Sequence, residues 1–121
     1  MHNVSTPEEN IVINSNEEIK VALFGITSMS TTFSPQTVLF VMKMNKAIEK
    51  QGLAVTIHMY SASQIDEHGS AADIILLSPE LYFQEKMIKE AFPEKVVKLI
   101  SKKAYGLLEV DKLLQELFTA N

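Results

Sequence analysis

The chain has 121 residues, of which 46% are hydrophobic and 21% charged, and these values are typical of one soluble globular domain with one core. Its formal net charge of −4, with only 11 basic residues spread along the chain, argues against a nucleic-acid partner. The absence of cysteine excludes disulfides, thiolate metal sites and a cysteine nucleophile.

The first residues of the chain are polar and rich in glutamate and asparagine. We therefore expect a flexible N-terminal tail over residues 1–18, followed by a single α/β domain over residues 19–121. The tail lacks the basic and then apolar pattern of a secretory signal, and no apolar run approaches the roughly 20 residues that span a bilayer. These features predict a cytoplasmic protein with no direct membrane insertion.

Four apolar segments predict strands. Residues 19–24 and 73–77 are almost wholly apolar, as in strands that are covered on both faces of a sheet. Residues 53–60 alternate between apolar and polar side chains, which is typical of an edge strand. Residues 96–100 form the fourth predicted strand.

Helices are predicted between the strands and at the end of the chain. Ser34 and Pro35 are typical of an N-cap and a first helical residue, and they predict a helix over residues 35–51 that Gly52 ends. A helical turn over residues 63–68 and a helix from 79 to about 92 follow. Four apolar residues with helical spacing predict a closing amphipathic helix: Val110, Leu113, Leu114 and Leu117.

The side chains of the first long helix form a broad apolar surface. We expect one face to carry Val38, Val41, Met42 and Ile48. Three further residues widen this surface, and we assign them to the core rather than to an exposed contact surface: Leu39, Phe40 and Met44.

The alternation of strands and helices predicts the fold. We expect a three-layer α/β sandwich, in which a four-stranded parallel sheet of order 2-1-3-4 has helices on both faces. In such a sheet ligands bind at the carboxyl ends of the strands, where the strand order reverses. That point lies between the first and third strands.

Three segments meet at this rim, and the first is a loop rich in hydroxyl groups. Its backbone N–H groups can surround an anion, although serine and threonine also satisfy their own backbone in ordinary turns. The candidate phosphate-loop residues are Gly25, Ile26, Thr27, Ser28, Met29, Ser30, Thr31 and Thr32. The other two segments contribute the rim residues Ser78, Tyr105 and Gly106.

Several other chemistries do not fit this rim. The first loop has no lysine for a nucleotide P-loop and too few glycines for a dinucleotide fingerprint. A flavin needs flanking aromatic rings, and only Tyr82, Phe83 and Tyr105 can reach the rim. His58 and His68 have no partners at metal-binding spacing. We therefore predict neither a metal site nor a cofactor.

With these residues laid out, residues 19–118 resemble the lactose/cellobiose-specific IIB components of the bacterial sugar phosphotransferase system. The resemblance rests on the segments KVALFGITSMST, AIEKQGLAV and ADIILLSPEL and on the pair Tyr105 and Gly106. It implies a four-stranded α/β domain with a cysteine at the end of the first strand. That cysteine takes a phosphoryl group from a histidine of the IIA component and passes it to a sugar held by the membrane IIC component.

This sequence departs from the family pattern at two places. Gly25 stands at the position of the cysteine, and about five extra residues around 33–37 separate the Met-Ser-Thr segment from the first helix. With this insertion the helix dipole is not expected to point straight at the anion position. We therefore predict no catalytic residue, and a binding or regulatory role toward IIA and IIC components.

Two alternatives remain open from the sequence. The first is an active phosphoryl carrier, which would use a hydroxyl group or would have had its natural cysteine replaced. The second is a sensor of a small molecule or an anion.

Overall fold

The structure, a computed structural model, describes residues 18–28 and 32–118. Its centre is a parallel sheet of four strands in the order β2-β1-β3-β4. The strands are β1 (Ile19–Gly25), β2 (Val55–Ser61), β3 (Ile74–Leu77) and β4 (Val96–Leu99). The predicted fold class and strand order are confirmed.

Helices connect the strands and cover both faces of the sheet. They are α1 (Pro35–Gln51), α2 (Ile65–Gly69), α3 (Glu85–Ala91), α4 (Lys102–Gly106) and α5 (Val110–Leu117). Short 3₁₀ segments, Ala62–Gln64 and Pro79–Gln84, lead into α2 and α3.

The limits of α1 follow from its end residues, as the sequence predicts. The Ser34 hydroxyl accepts the backbone N–H of Thr37 at 3.3 Å, and Pro35 occupies the first turn. At the other end Gly52 adopts a φ of 66°, a left-handed conformation that glycine tolerates best. The helix therefore begins at the rim of the sheet and ends at the opposite edge.

The central strands are fully covered, as their composition predicts. β1 pairs with β2 on one side and with β3 on the other, and Leu23 and Phe24 are completely buried. β2 is an edge strand whose His58 is exposed. The two inner strands bring the buried residue Gly25 and the residue after β3, Ser78, to the same rim.

Two apolar clusters, one on each face of the sheet, form the core. The first includes Leu23 and Leu76 of the sheet and Phe40 and Leu114 from α1 and α5. The second packs other sheet residues, Phe24 among them, under the Pro79–Gln84 segment and α3.

The orientation of α1 differs from the predicted one. Phe40 and Met44 are fully buried, as expected, but Leu39 and Met42 are 50% and 54% exposed. The buried stripe is set by Thr37, Phe40, Val41, Met44, Ala47 and Ile48, and Leu39 and Met42 lie on its flank. The assignment of Leu39 to the core and of Met42 to the buried face is therefore wrong.

Two further predictions are corrected. Residues 102–106, which are not among the predicted helices, form α4, because the Ser101 hydroxyl caps it by accepting the N–H of Ala104 at 3.0 Å. The predicted helix over 79–92 is divided, because Leu81 has non-helical angles of φ −92° and ψ 17°. Apart from Glu18, the predicted tail lies outside the described residues. Within the described part of the chain, no helix has both the length and the apolar character to cross a membrane.

Candidate functional site

The candidate site is centred on Gly25, the last residue of β1. Gly25 is buried, and its φ lies outside the left-handed region that would require glycine. A Cβ atom built there would lie 3.8 Å from the Ser78 hydroxyl oxygen and 3.8 Å from the side chain of Thr37. These are ordinary van der Waals separations, so the position has room for the first atom of a side chain.

Ser78 provides an unpaired polar atom beside this space. Its side chain is completely buried, and its Oγ has no hydrogen-bond partner among the described residues. Leaving a buried hydroxyl unpaired costs about 1–3 kcal/mol. Because the orphaned oxygen faces the position where a side chain is missing at Gly25, it can bind a group that enters that space.

The start of α1 forms the second wall of the space. Thr37 is almost completely buried, and its Oγ1 lies 3.1 Å from Oγ of Ser34 and 2.5 Å from the Tyr105 hydroxyl. The N-terminus of a helix carries a partial positive charge that favours anions. Despite the longer loop, the Thr37 side chain lies 3.8 Å from a Cβ atom built at Gly25, so the first turn of α1 lies beside this position. The direction of the helix dipole relative to the anion position stays a prediction.

The first loop accommodates its extra residues by pairing with itself. Thr27 and Phe33 form an antiparallel bridge, and the N–H of Ser28 donates to the carbonyl of Thr32 at 3.0 Å. The N–H of Thr32 in turn donates to Oγ of Ser28 at 3.4 Å. Two of the backbone donors expected to surround an anion are therefore used within the loop. Residues 29–31 lie between these pairs and outside the described residues, so the role of Met29, Ser30 and Thr31 stays a prediction.

The remaining residues of the first loop have separate environments. The Thr27 hydroxyl lies 3.2 Å from that of Ser61, which ties the loop to the end of β2. Ile26 is 49% exposed and directs apolar surface to solvent.

Tyr105 lies behind the site rather than at its mouth. Its ring packs against Phe40 with centroids 5.1 Å apart, and its carbonyl accepts the Gln36 side-chain amide at 2.5 Å. Burial raises the pKa of the Tyr105 hydroxyl, the hydrogen bond with Thr37 lowers it, and the charge of Glu80 raises it. Tyr105 therefore holds the start of α1 against α4.

The structure does not bring Gly106 into the site. Gly106 is exposed, and a Cβ atom added there would meet nothing within 4 Å. Conversely, sequence analysis overlooked Thr37. Its signal was its place at the third position of a helix that begins at the rim, where a short polar side chain turns toward the cap.

An exposed aromatic pair lies in the segment that follows β3. Tyr82 and Phe83, in the 3₁₀ segment after β3, are 66% and 65% exposed and contact each other edge to face with centroids 5.7 Å apart. Exposed aromatic side chains are enriched in protein interfaces. We call Tyr82, Phe83 and Ile26 the rim patch, since all three follow the carboxyl ends of the inner strands.

No group of three metal-binding side chains occurs in residues 18–28 and 32–118.

Comparison with known proteins agrees with this architecture. The family described as "PTS system, Lactose/Cellobiose specific IIB subunit" matches residues 14–116. The cellobiose-specific phosphotransferase IIB component of Borrelia burgdorferi has a similar structure, with a TM-score of 0.64 and 22% identity over 84% of this chain and 89% of that chain. The lactose-specific IIB component domain of Streptococcus pneumoniae gives a TM-score of 0.60 and 15% identity over 83% of this chain and 98% of that chain. At these identities, the two structures establish a shared fold.

Proposed function

The chain belongs to the family of lactose/cellobiose-specific IIB subunits of the sugar phosphotransferase system, and from this premise we propose that it binds a partner of that system without carrying a phosphoryl group. The observation that carries the proposal is Gly25 at the end of β1, in a chain with no cysteine. Its site of action is the cytoplasm, where IIB subunits meet their IIA and IIC components.

The neighbouring hydroxyl groups are poor substitutes for a thiolate. A covalent carrier must attack phosphorus and later leave it, and an unactivated serine or threonine hydroxyl does neither well near neutral pH. The hydroxyl of Thr37 is engaged by Ser34 and Tyr105. Ser78 has no hydrogen-bond partner in the described part of the chain, so no base is placed to remove its proton. These observations favour a chain that docks like a IIB subunit and stops before phosphoryl transfer.

The docking surface that we propose is the rim patch. Its two aromatic rings supply exposed apolar area in the segment that follows β3, and the end of β3 shares the rim with Gly25. A bound chain of this kind would compete with a phosphorylatable IIB subunit for the same IIA or IIC component. Its abundance would then set how much of that partner is available for sugar uptake.

Removing the rim patch is expected to weaken binding of the partner. For the double variant Tyr82→Ser and Phe83→Ser we expect the dissociation constant for a cognate IIA or IIC component to rise at least about tenfold, since exposed aromatic anchors dominate interface energies. Calorimetric titration measures this change. Met42→Ser is the matched control, because it removes a similarly exposed apolar side chain from the other face of the sheet. If neither IIA nor IIC components bind the natural chain, the proposal is wrong.

A second candidate function is recognition of a free anion, which the orphaned hydroxyl of Ser78 beside the start of α1 favours. Inorganic phosphate should then raise the thermal stability of the natural chain saturably, by about 2.7 kcal/mol at a concentration 100 times the dissociation constant. Ser78→Ala should fold normally and lose this response, whereas the exposed control Ser70→Ala should keep it. If phosphate does not change the melting temperature of the natural chain, this function is contradicted.

A further inference from the structure

A groove beside α1 shares no lining residue with the rim site. It lies between α1 and the start of α5 and has a volume of about 390 Å³. Apolar side chains form its floor, among them Leu39, Met42 and Leu108, and three lysines line it along α1: Lys43, Lys46 and Lys50. We call this feature the α1–α5 groove.

The lysines of the α1–α5 groove have no counterion among the residues that the structure describes. Lys43, Lys46 and Lys50 form no ion pair with any described residue, and they lie together along one edge of the groove. The single acidic side chain in the lining, Asp111, accepts a hydrogen bond from Gln51. The groove therefore combines an apolar floor with an unneutralised positive edge, and its occupant should be both apolar and acidic.

The chain itself contains a segment with this chemistry. Residues 1–18 include four of the 15 acidic residues and none of the 11 basic ones, so residues 19–121 are formally neutral and the whole net charge of −4 lies in residues 1–18. Within it, residues 8–13 read EENIVI: two glutamates, an asparagine and three β-branched apolar residues. This segment lies outside the family match, which begins at residue 14.

The connection to the sheet places this segment within reach. The N–H of Ile19 donates to the carbonyl of Ala54 at 2.9 Å, so the N-terminal segment joins the sheet beside the residues that follow α1. Lys50 lies at that end of the groove and Lys43 about 10 Å further along, at about 1.5 Å per helical residue. Residues 9–18 extend up to about 30 Å at about 3.3 Å per residue, which exceeds the length of the groove.

We propose that residues 8–13 lie in the α1–α5 groove of the same chain, with Ile11 and Ile13 on its apolar floor and Glu8 and Glu9 against the lysines. The contact neutralises the only acidic excess of the chain and covers Leu39 and Met42. The first turn of α1 forms a wall of the Gly25 site. The same helix would thus also bind a segment that precedes the family match. The proposal is independent of the partner and anion functions.

Paramagnetic relaxation tests the proposal, because the chain has no natural cysteine and a single label can be placed at will. A spin label on Asn10→Cys should broaden the backbone amide signals of Met42 and Lys46 and leave those of α3 sharp. Lys43→Glu with Lys46→Glu should abolish the broadening. Lys86→Glu with Lys102→Glu makes the same change in net charge on exposed residues elsewhere and should preserve it.

A mixed sample separates this contact from its rivals. Labelled protein without ¹⁵N is mixed with ¹⁵N-enriched natural protein, so that broadening can arise only between molecules. We expect none. Broadening in the mixed sample equal to that within one molecule would assign the groove to a second copy. Broadening that is absent from the groove, or that appears on α3, would likewise overturn the proposal.

Discussion

Replacing Gly25 by cysteine is expected to produce a chain that takes up one phosphoryl group from a phosphorylated IIA component of the lactose/cellobiose type, whereas the natural chain takes up none. In the transfer the thiolate sulfur of the new side chain bonds to phosphorus, the bond from phosphorus to the histidine nitrogen breaks, and the imidazole keeps that electron pair. Intact mass measured after incubation with the IIA component and its phosphoryl donors reports the gain directly.

The structure supports this result on steric and electrostatic grounds. A Cβ at Gly25 meets its nearest neighbours at 3.8 Å, and the backbone there is not left-handed, so the substitution introduces no strain. The N-terminus of α1 lies beside the new side chain and favours its thiolate form. The unpaired Ser78 hydroxyl is available to a phosphoryl oxygen in the same space.

Gly25→Ser is the matched control, because it introduces a side chain of nearly the same size whose hydroxyl is a poor nucleophile. We expect it to fold and to remain unmodified. A phosphoryl group on the natural chain would contradict the proposed function. If the cysteine variant folds and stays unmodified, the self-paired first loop, rather than the missing nucleophile alone, prevents transfer.

Local patterns of the sequence predict much of the fold. Unbroken apolar runs mark β1 and β3 as inner strands, the alternation in β2 marks an edge, and the observed strand order satisfies both. The limits of α1 follow from its serine cap and its terminal glycine. The division of the helix at Leu81 and the exposure of Leu39 depend on contacts with distant elements, which local patterns do not record.

The site was predictable in position but only partly in detail. The topology places Gly25 beside Ser78, because residues that follow neighbouring parallel strands share one rim. The inward orientation of Tyr105 could not be predicted, because it depends on contacts with Phe40 and Thr37, which are distant in the sequence. The pairing of Thr27 with Phe33 closes the first loop on itself. A segment this short has no periodic pattern from which the pairing could be predicted.

Replacing Phe40 by alanine is expected to have the largest effect on stability, a loss of about 3–5 kcal/mol in the free energy of unfolding. Phe40 is completely buried in the cluster between α1 and the sheet, and its ring packs on Tyr105. Removing it leaves a cavity that the surrounding structure fills incompletely. Because domains of this size have a total stability of about 5–15 kcal/mol, the urea midpoint should fall steeply.

Leu39→Ala is the matched control, since the neighbouring side chain is half exposed on the same helix. Its expected effect is within about 0.5 kcal/mol, as for most surface substitutions. The pair of variants therefore measures the rotation of α1 about its axis, which the sequence pattern alone misjudged. Equal losses in both variants would place Leu39 in the core and remove it from the floor of the α1–α5 groove. A large loss at Phe40 alone would show that this side chain supports the wall of the Gly25 site. The Phe40 ring packs on Tyr105, and the Tyr105 hydroxyl is hydrogen-bonded to Thr37, which forms that wall.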